Sequence, residues 1–234
     1  MNIAIILSGG IGSRMGLNLP KQYVKVHGKM IISYCLSTFL QNENIDALVI
    51  GCANEWKQQI QDEIDKLPYA CSKVIKFAQP GETRQYSIFN ALKVACQIEF
   101  DDNTIVIIHD AARPLVSDAL IDHCLDACKY TDAVMPVIPV KDTTYVSEDG
   151  IHIKALLNRS QLWSGQAPEA FKLKKYFQVH EIMSREEILK INGSTELAFK
   201  ARLDCQMIEG DPMNFKITTP EDLASFEKIK SNKQ

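Results

Sequence analysis

The chain has 234 residues, 46% of them hydrophobic, and a net charge of −3. That length can bury one substantial core, and the near-neutral balance excludes a global basic field for nucleic acid. Its apolar runs are far too short to cross a membrane as helices.

The first predicted element is an apolar strand over residues 3–7, which runs into Ser8-Gly9-Gly10-Ile11-Gly12-Ser13-Arg14-Met15-Gly16 and then Pro20-Lys21-Gln22. Glycines let main-chain N–H groups approach an anion with no Cβ in the way. Arg14 and Lys21 supply charge that backbone dipoles lack. Spacing excludes two familiar nucleotide loops. A Walker-type loop needs Gly-Lys-Ser/Thr, but Lys21 stands between Pro20 and Gln22. A dinucleotide fingerprint needs a third glycine where Met15 stands, and residues 27–38 hold no acid for a ribose.

Further along, strands are predicted over 47–52, 73–77, 104–108 and 133–138. Helices are predicted over 55–66 with Asn54 as cap, over 83–98, and from Ser117 to about 129. Alternating units of this kind with near-continuous apolar strands imply a mostly parallel sheet covered on both faces. Ligands of such sheets sit beyond the carboxyl ends of the strands. The glycine loop and His109-Asp110 both lie at such ends. Residues 143–146 and 151–153 flank Ser147-Glu148-Asp149-Gly150, whose Asp-Gly pair signals a projecting hairpin.

His109-Asp110-Ala111-Ala112-Arg113-Pro114 follows the most apolar strand. Phosphates brought together call for Mg²⁺, which takes oxygen ligands, so Asp110 is the candidate metal ligand. Arg113 offers a planar fork for a phosphate or carboxylate. His109 reads as a hydrogen-bonded structural histidine rather than a base. Residues 214–217 read as a short strand before a helix capped by Thr219 with Pro220 in its first turn. Lys216 sits between apolar neighbours in that strand, where a lysine ordinarily extends to solvent. Cysteines 35, 52, 71, 96, 124, 128 and 205 form no Cys-x-x-Cys, and Cys124 and Cys128 read as packed thiols. With no exported leader, this points to a reducing, cytoplasmic compartment.

These segments together resemble the CTP-dependent cytidylyltransferases that make CDP-methylerythritol, and their relatives that make CDP-ribitol. The match rests on Gly9 to Met15, Pro20-Lys21-Gln22-Tyr23, Gly81-Glu82-Thr83-Arg84, the His109 to Pro114 segment, Lys141-Asp142-Thr143, Arg159 with Leu162-Trp163, and Lys216 to Leu223, in family order. The resemblance implies a Rossmann-like α/β nucleotidyltransferase fold, one domain over 1–234, with 140–160 as a β-hairpin arm through which two copies dimerise. It implies that Ser8, Gly9, Gly10 and Gly12 hold the nucleotide, with Gly81, Glu82, Arg84 and Ser87 at its cytosine and ribose end. Arg14, Lys21 and Lys216 would serve the reacting phosphates, Asp110 would act near Mg²⁺, and Arg113, Thr143 and Arg159 would hold the acceptor.

The implied reaction is attack by an acceptor phosphate oxygen on the α-phosphorus of CTP, with loss of pyrophosphate. It needs positioning and charge stabilisation rather than a protein nucleophile. The implied acceptor is 2-C-methyl-D-erythritol 4-phosphate, for isoprenoid precursors. The alternative is ribitol 5-phosphate or another polyol phosphate, for cell-wall or capsule precursors. The His109 to Pro114 and Trp163 segments favour the first and Gly165-Gln166 the second. Three departures stand out. Ala167-Pro168-Glu169 replaces the usual Thr-Pro-Gln. Gly193-Ser194-Thr195-Glu196-Leu197 lacks the aspartate of the usual Thr-Asp-(Asp/Glu)-Ala. Pro80 and Glu82 replace a glycine and an aspartate in the base-reading loop.

Overall fold

The computed structural model describes residues 1–10, 19–67 and 73–232. In chain order these form β1 (Asn2–Leu7), β2 (Lys25–Val26), β3 (Lys29–Met30), α1 (Ile31–Gln41), β4 (Ala47–Gly51), α2 (Lys57–Asp65), β5 (Val74–Ala78), α3 (Arg84–Ile98), β6 (Ile105–Asp110), α4 (Asp118–Cys128) and β7 (Ala133–Pro139). Then come β8 (Tyr145–Val146), β9 (Ala155–Leu156), β10 (Trp163–Gly165), β11 (Glu169–Lys172), α5 (Leu173–Ile182), α6 (Arg185–Leu189), α7 (Ser194–Lys200), β12 (Cys205–Glu209) and α8 (Pro220–Ser231). The main sheet runs β10-β7-β11-β6-β1-β4-β5, with β12 also paired to β7. β1, β4, β5 and β6 are mutually parallel, and β12 is parallel to β7. β10 and β11 run the other way.

Side-chain alternation along the strands builds both faces. Ala4, Ile6, Leu48, Ile50 and Ile107 pack with Ile32, Leu36 and Phe39 of α1, Ile60 and Ile64 of α2, and Ile121 and Leu125 of α4. Ile3, Ile5, Val49, Val106 and Ile108 pack with Ile88 and Leu92 of α3, Tyr176 of α5 and Leu197 of α7. Each fully buried aliphatic side chain contributes about 1.5–3 kcal/mol relative to exposure. Strand register then fixes the geometry of the carboxyl ends. Leu7 lies beside both Gly51 and Asp110, and Gly51 lies beside Ala78. The glycine loop after β1, the turn after β5 and Asp110 therefore emerge at one end of the sheet.

Three local expectations are corrected. Asn54 does not cap α2: it opens a 3₁₀ turn, and its Oδ1 accepts from Gln79 instead. The hairpin pairs Tyr145–Val146 with Ala155–Leu156, not with 151–153. Asp149 Oδ1 accepts from the Ile151 and His152 N–H groups at 2.9 and 2.8 Å, which curls that segment and removes its donors from a ladder. Residues 214–217 form no strand, although Ile217 N–H donates to Ala112 O at 2.8 Å. Ile217 instead packs with Val26, Ile31 and Phe226, so α8 and the start of α1 fix the course of the chain past Lys216. The predicted caps of α4 and α8 form through Ser117 and Thr219, while Thr83, expected inside α3, caps it instead. No helix among the described residues is long and apolar enough to cross a membrane.

Buried His180 is one of the groups that make stability depend on pH. His180 is 1% exposed on α5. The Tyr176 carbonyl can only accept, so Nδ1–H donates to it at 2.8 Å and unprotonated Nε2 accepts from Gln85 at 2.7 Å. Burial pushes its pKa down to about 4. The unfolded chain therefore binds a proton that the folded one refuses, and stability falls as pH drops from about 6.5 towards 4. Urea unfolding should show a loss between pH 7 and 4.5, of which His180→Gln removes about 2 kcal/mol and buried His109 keeps its own share. An unchanged slope in that variant would contradict this assignment.

Candidate active site

The start of the glycine loop is stitched to the turn that carries Lys21. Ser8 continues the β1 ladder through its N–H to Gly51 O at 2.8 Å. Tyr23 Oη donates to Ser8 O at 2.8 Å and accepts from Ser8 Oγ at 2.7 Å. Gln22 Nε2 donates to both Ser8 O and Gly10 O at 2.7 Å. The 3₁₀ turn Lys21–Tyr23 follows Pro20, and Tyr23 stacks on Trp56 with centroids 4.0 Å apart. Gln22 and Tyr23 thus hold Lys21 in place beside the loop. Their part was hidden in sequence, where only their adjacency to Lys21 marked them. Gly12 and Arg14 lie outside the described residues.

The turn after β5 packs directly on this loop. A Cβ on Gly9 would meet Pro80 Cβ at 2.5 Å, whereas one on Gly10 would meet nothing within 4 Å. A Cβ on Gly81 would meet Tyr86 Cβ at 2.4 Å, so this turn admits only glycine. Ser87 Oγ accepts from Gly81 N–H at 3.0 Å and donates to Thr83 O at 2.9 Å, bracing the turn from within α3. Glu82 pairs with Arg185 at the start of α6.

Asp110 closes the site at the end of β6. Lys216 Nζ donates to its Oδ2 at 2.9 Å, and Arg84 Nε donates to its Oδ1 at 3.2 Å. Arg113 Nε stands 3.8 Å from Oδ2. Burial alone would raise the Asp110 pKa, but Arg84 and Lys216, with Arg113, overcome it and hold the carboxyl well below the usual range. Arg113 donates from Nη1 to Asn214 O at 2.7 Å, so it also ties down the segment that delivers Lys216. His109 is fully buried and donates from Nε2 to Arg113 O at 2.9 Å; burial pushes its pKa down to about 4, as suits a structural histidine.

A second carboxylate joins the cluster. Glu169 Oε1 lies 3.3 Å from Arg84 Nη2 and accepts from Ser194 Oγ at 2.9 Å. Glu169 Oε2 accepts from Thr195 N–H at 3.0 Å and from Thr195 Oγ1 at 2.6 Å. Two of the departures noted in sequence, distant along the chain, therefore meet in one hydrogen-bonded unit. Gln166 is a brace, its amide bonded to the Asp211 carbonyl and N–H at 2.9 and 3.0 Å.

No group of three or more His, Cys, Asp or Glu side chains that could hold a metal occurs among the described residues. Asp110 faces three cations, and Glu169 shares one of them, Arg84. Mg²⁺ binds through one or two carboxylates plus substrate phosphates, and Asp110, whose two oxygens are engaged by Arg84 and Lys216, could hold the ion only in exchange for one of these donors.

Thr143 and Arg159 lie on the arm and are exposed. Arg159 Nη1 donates to Lys141 O at 2.8 Å. With Pro139, Leu162 and Trp163 it lines an open cavity of about 440 Å³ at the arm's base. Tyr145, Ile151, Ile153 and Leu156 are more than half exposed along the arm.

The solved structure of 4-diphosphocytidyl-2C-methyl-D-erythritol synthase from Anaerococcus prevotii matches with a TM-score of 0.80 over 98% of this chain and 96% of that one, at 24% identity. The α/β fold is thus the one seen in that synthase. The chain belongs to the IspD family, 2-C-methyl-D-erythritol 4-phosphate cytidylyltransferase, whose family model matches residues 2–231. Similar relatives carry two names. A ribitol-5-phosphate cytidylyltransferase from Vibrio parahaemolyticus is 34% identical over 98% of this chain and 95% of its own. A 2-C-methyl-D-erythritol 4-phosphate cytidylyltransferase from Clostridium kluyveri is also 34% identical, over 97% and 96%. Equal identity leaves the choice of acceptor to the site.

Proposed function

We propose that this chain transfers CMP from CTP to the phosphate of a small polyol phosphate, releasing pyrophosphate. The observation that carries this is the buried Asp110 ringed by Lys216, Arg84 and Arg113, at the same sheet end as a glycine loop stitched to Lys21. Lys21 and Arg14 bind the triphosphate and offset the charge that builds on the α-phosphorus. Lys216, held by Asp110, reaches the same phosphates, and Arg84 holds the nucleotide beside the Gly81 turn. Rigid placement of these donors supplies the stabilisation, because they need no reorganisation as charge develops. Asp110 would offer one oxygen to Mg²⁺, which neutralises phosphate charge when bound.

The acceptor in this reading is 2-C-methyl-D-erythritol 4-phosphate, with ribitol 5-phosphate as the alternative that the Vibrio relative and Gly165-Gln166 support. Pyrophosphate release with CTP and Mg²⁺ across methylerythritol, ribitol and other tetritol and pentitol phosphates tests it. One acceptor should exceed the rest by at least about tenfold in kcat/KM, as hydroxyl-reading pockets do. Silence across that panel would overturn the reading.

The same reading takes the chain as one catalytic domain that works as a homodimer, each arm presenting Thr143 and Arg159 to the neighbouring site. The apolar arm supports it: Ile151 is 80% exposed, Ile153 69% and Leu156 64%. Ile153→Lys with Leu156→Lys should give monomers in sedimentation equilibrium and reduce acceptor use before CTP binding. A dimer unaffected by both changes would contradict the arm's role. Free thiols at Cys35, Cys52, Cys96, Cys124, Cys128 and Cys205 support a reducing, cytoplasmic location.

A further inference from the structure

Arg84 is gripped from three elements at once. Nε bonds Asp110 at the end of β6, Nη2 faces Glu169 at the start of β11, and Nη1 donates to Ser194 Oγ at 2.5 Å at the start of α7. Glu169 is the hub of this arrangement. Its Oε1 serves Arg84 and the Ser194 hydroxyl, while its Oε2 serves both donors of Thr195. The residue is 7% exposed, so its acceptor capacity goes to the protein rather than to water. An amide at this position would turn an N–H₂ group toward the Thr195 N–H and leave a buried donor unmatched. Burial alone would lower the Arg84 pKa, but the Asp110 and Glu169 carboxylates on either side raise it and keep the fork charged.

We propose that Glu169 is a positioning residue of the nucleotide site. It fixes the plane of the Arg84 guanidinium and couples that plane to the start of α7. The guanidinium is thus held with its fork set before the nucleotide arrives, which reduces the ordering cost of binding. The nature of the ligand rests on the cytidylyltransferase reading above.

The test is a mutant cycle read by calorimetric titration with CTP and by KM and kcat. Glu169→Gln should weaken CTP binding about tenfold and raise KM accordingly, with kcat changed less. In an Arg84→Ala background the same substitution should cost less than about twofold, because its effect passes through Arg84. Thr195→Asp added to Glu169→Gln should restore CTP affinity to within about threefold, since a carboxylate at 195 can accept from an amide at 169. Thr195→Val is the gentler probe, keeping the N–H and losing one donor, and should weaken CTP about threefold. Equal cost of Glu169→Gln with and without Arg84, or no rescue by Thr195→Asp in a folded protein, would overturn the proposal. Absence of CTP binding to the unaltered chain would overturn the cytidylyltransferase reading as well; binding with an additive cycle would overturn this proposal alone.

Discussion

Lys21→Ala is expected to lower kcat/KM for CTP by about 10²–10³ in a protein that remains folded, the usual cost of one lost transition-state donor. The turn that bears Lys21 is fastened by Gln22 to Ser8 O and Gly10 O and by Tyr23 to Ser8 O, bonds that truncation at position 21 does not touch. This fastening therefore survives the substitution. Lys21→Arg should recover only part of the lost activity, because a planar fork does not replace a compact ammonium on the same stem. Thermal melting checks that the protein remains folded, and near-normal turnover of Lys21→Ala would refute its role. Arg14→Ala carries the same expectation from sequence.

The second large effect is on stability. Asp110→Ala removes the one carboxylate shared by Lys216, Arg84 and Arg113. Breaking a buried pair costs about 3–5 kcal/mol. Lys216 and Arg84 keep 34% and 29% of their side-chain exposure, so screening by water places the loss near about 3 kcal/mol. Because the folded-state pKa is depressed, this stabilisation is fully present above the ordinary carboxylate range and is lost progressively as pH falls through that range and below it. Asp110→Asn, which keeps an acceptor and the shape, should lose less. Urea unfolding at pH 7 checks both, and wild-type stability of Asp110→Ala would show that the cations need no partner.

Much of this was legible in the residues because the signals were long and periodic. The buried strands β1, β4 and β6 were plain as apolar runs, and Thr83, Ser117 and Thr219 announced three helix starts. The glycine loop and Asp110 were readable as strand ends, and register alone brings them together. β12 gave no such signal: it buries only Ile208 fully, so no apolar run marks it. The apolar neighbours of Lys216 suggested a strand, but Ile217 is apolar because it packs on α8 and α1. Asn54 looked like a cap, yet its side chain has a competing partner in Gln79 far along the chain. Arg113 and Ser87 were marked for ligands, and the fold also uses both as braces. Glu169 showed in sequence only as a departure from a pattern, because its partners Arg84, Ser194 and Thr195 are neighbours in space alone.

The most direct measurement is the fate of CTP labelled at its α-phosphorus, incubated with Mg²⁺ and each polyol phosphate. The account predicts that the label appears in a CDP-polyol together with one equivalent of pyrophosphate, and that Lys21→Ala and Lys216→Ala lower both products strongly and in step. Release of the γ-phosphate without label transfer, or transfer that survives loss of both lysines, would contradict it.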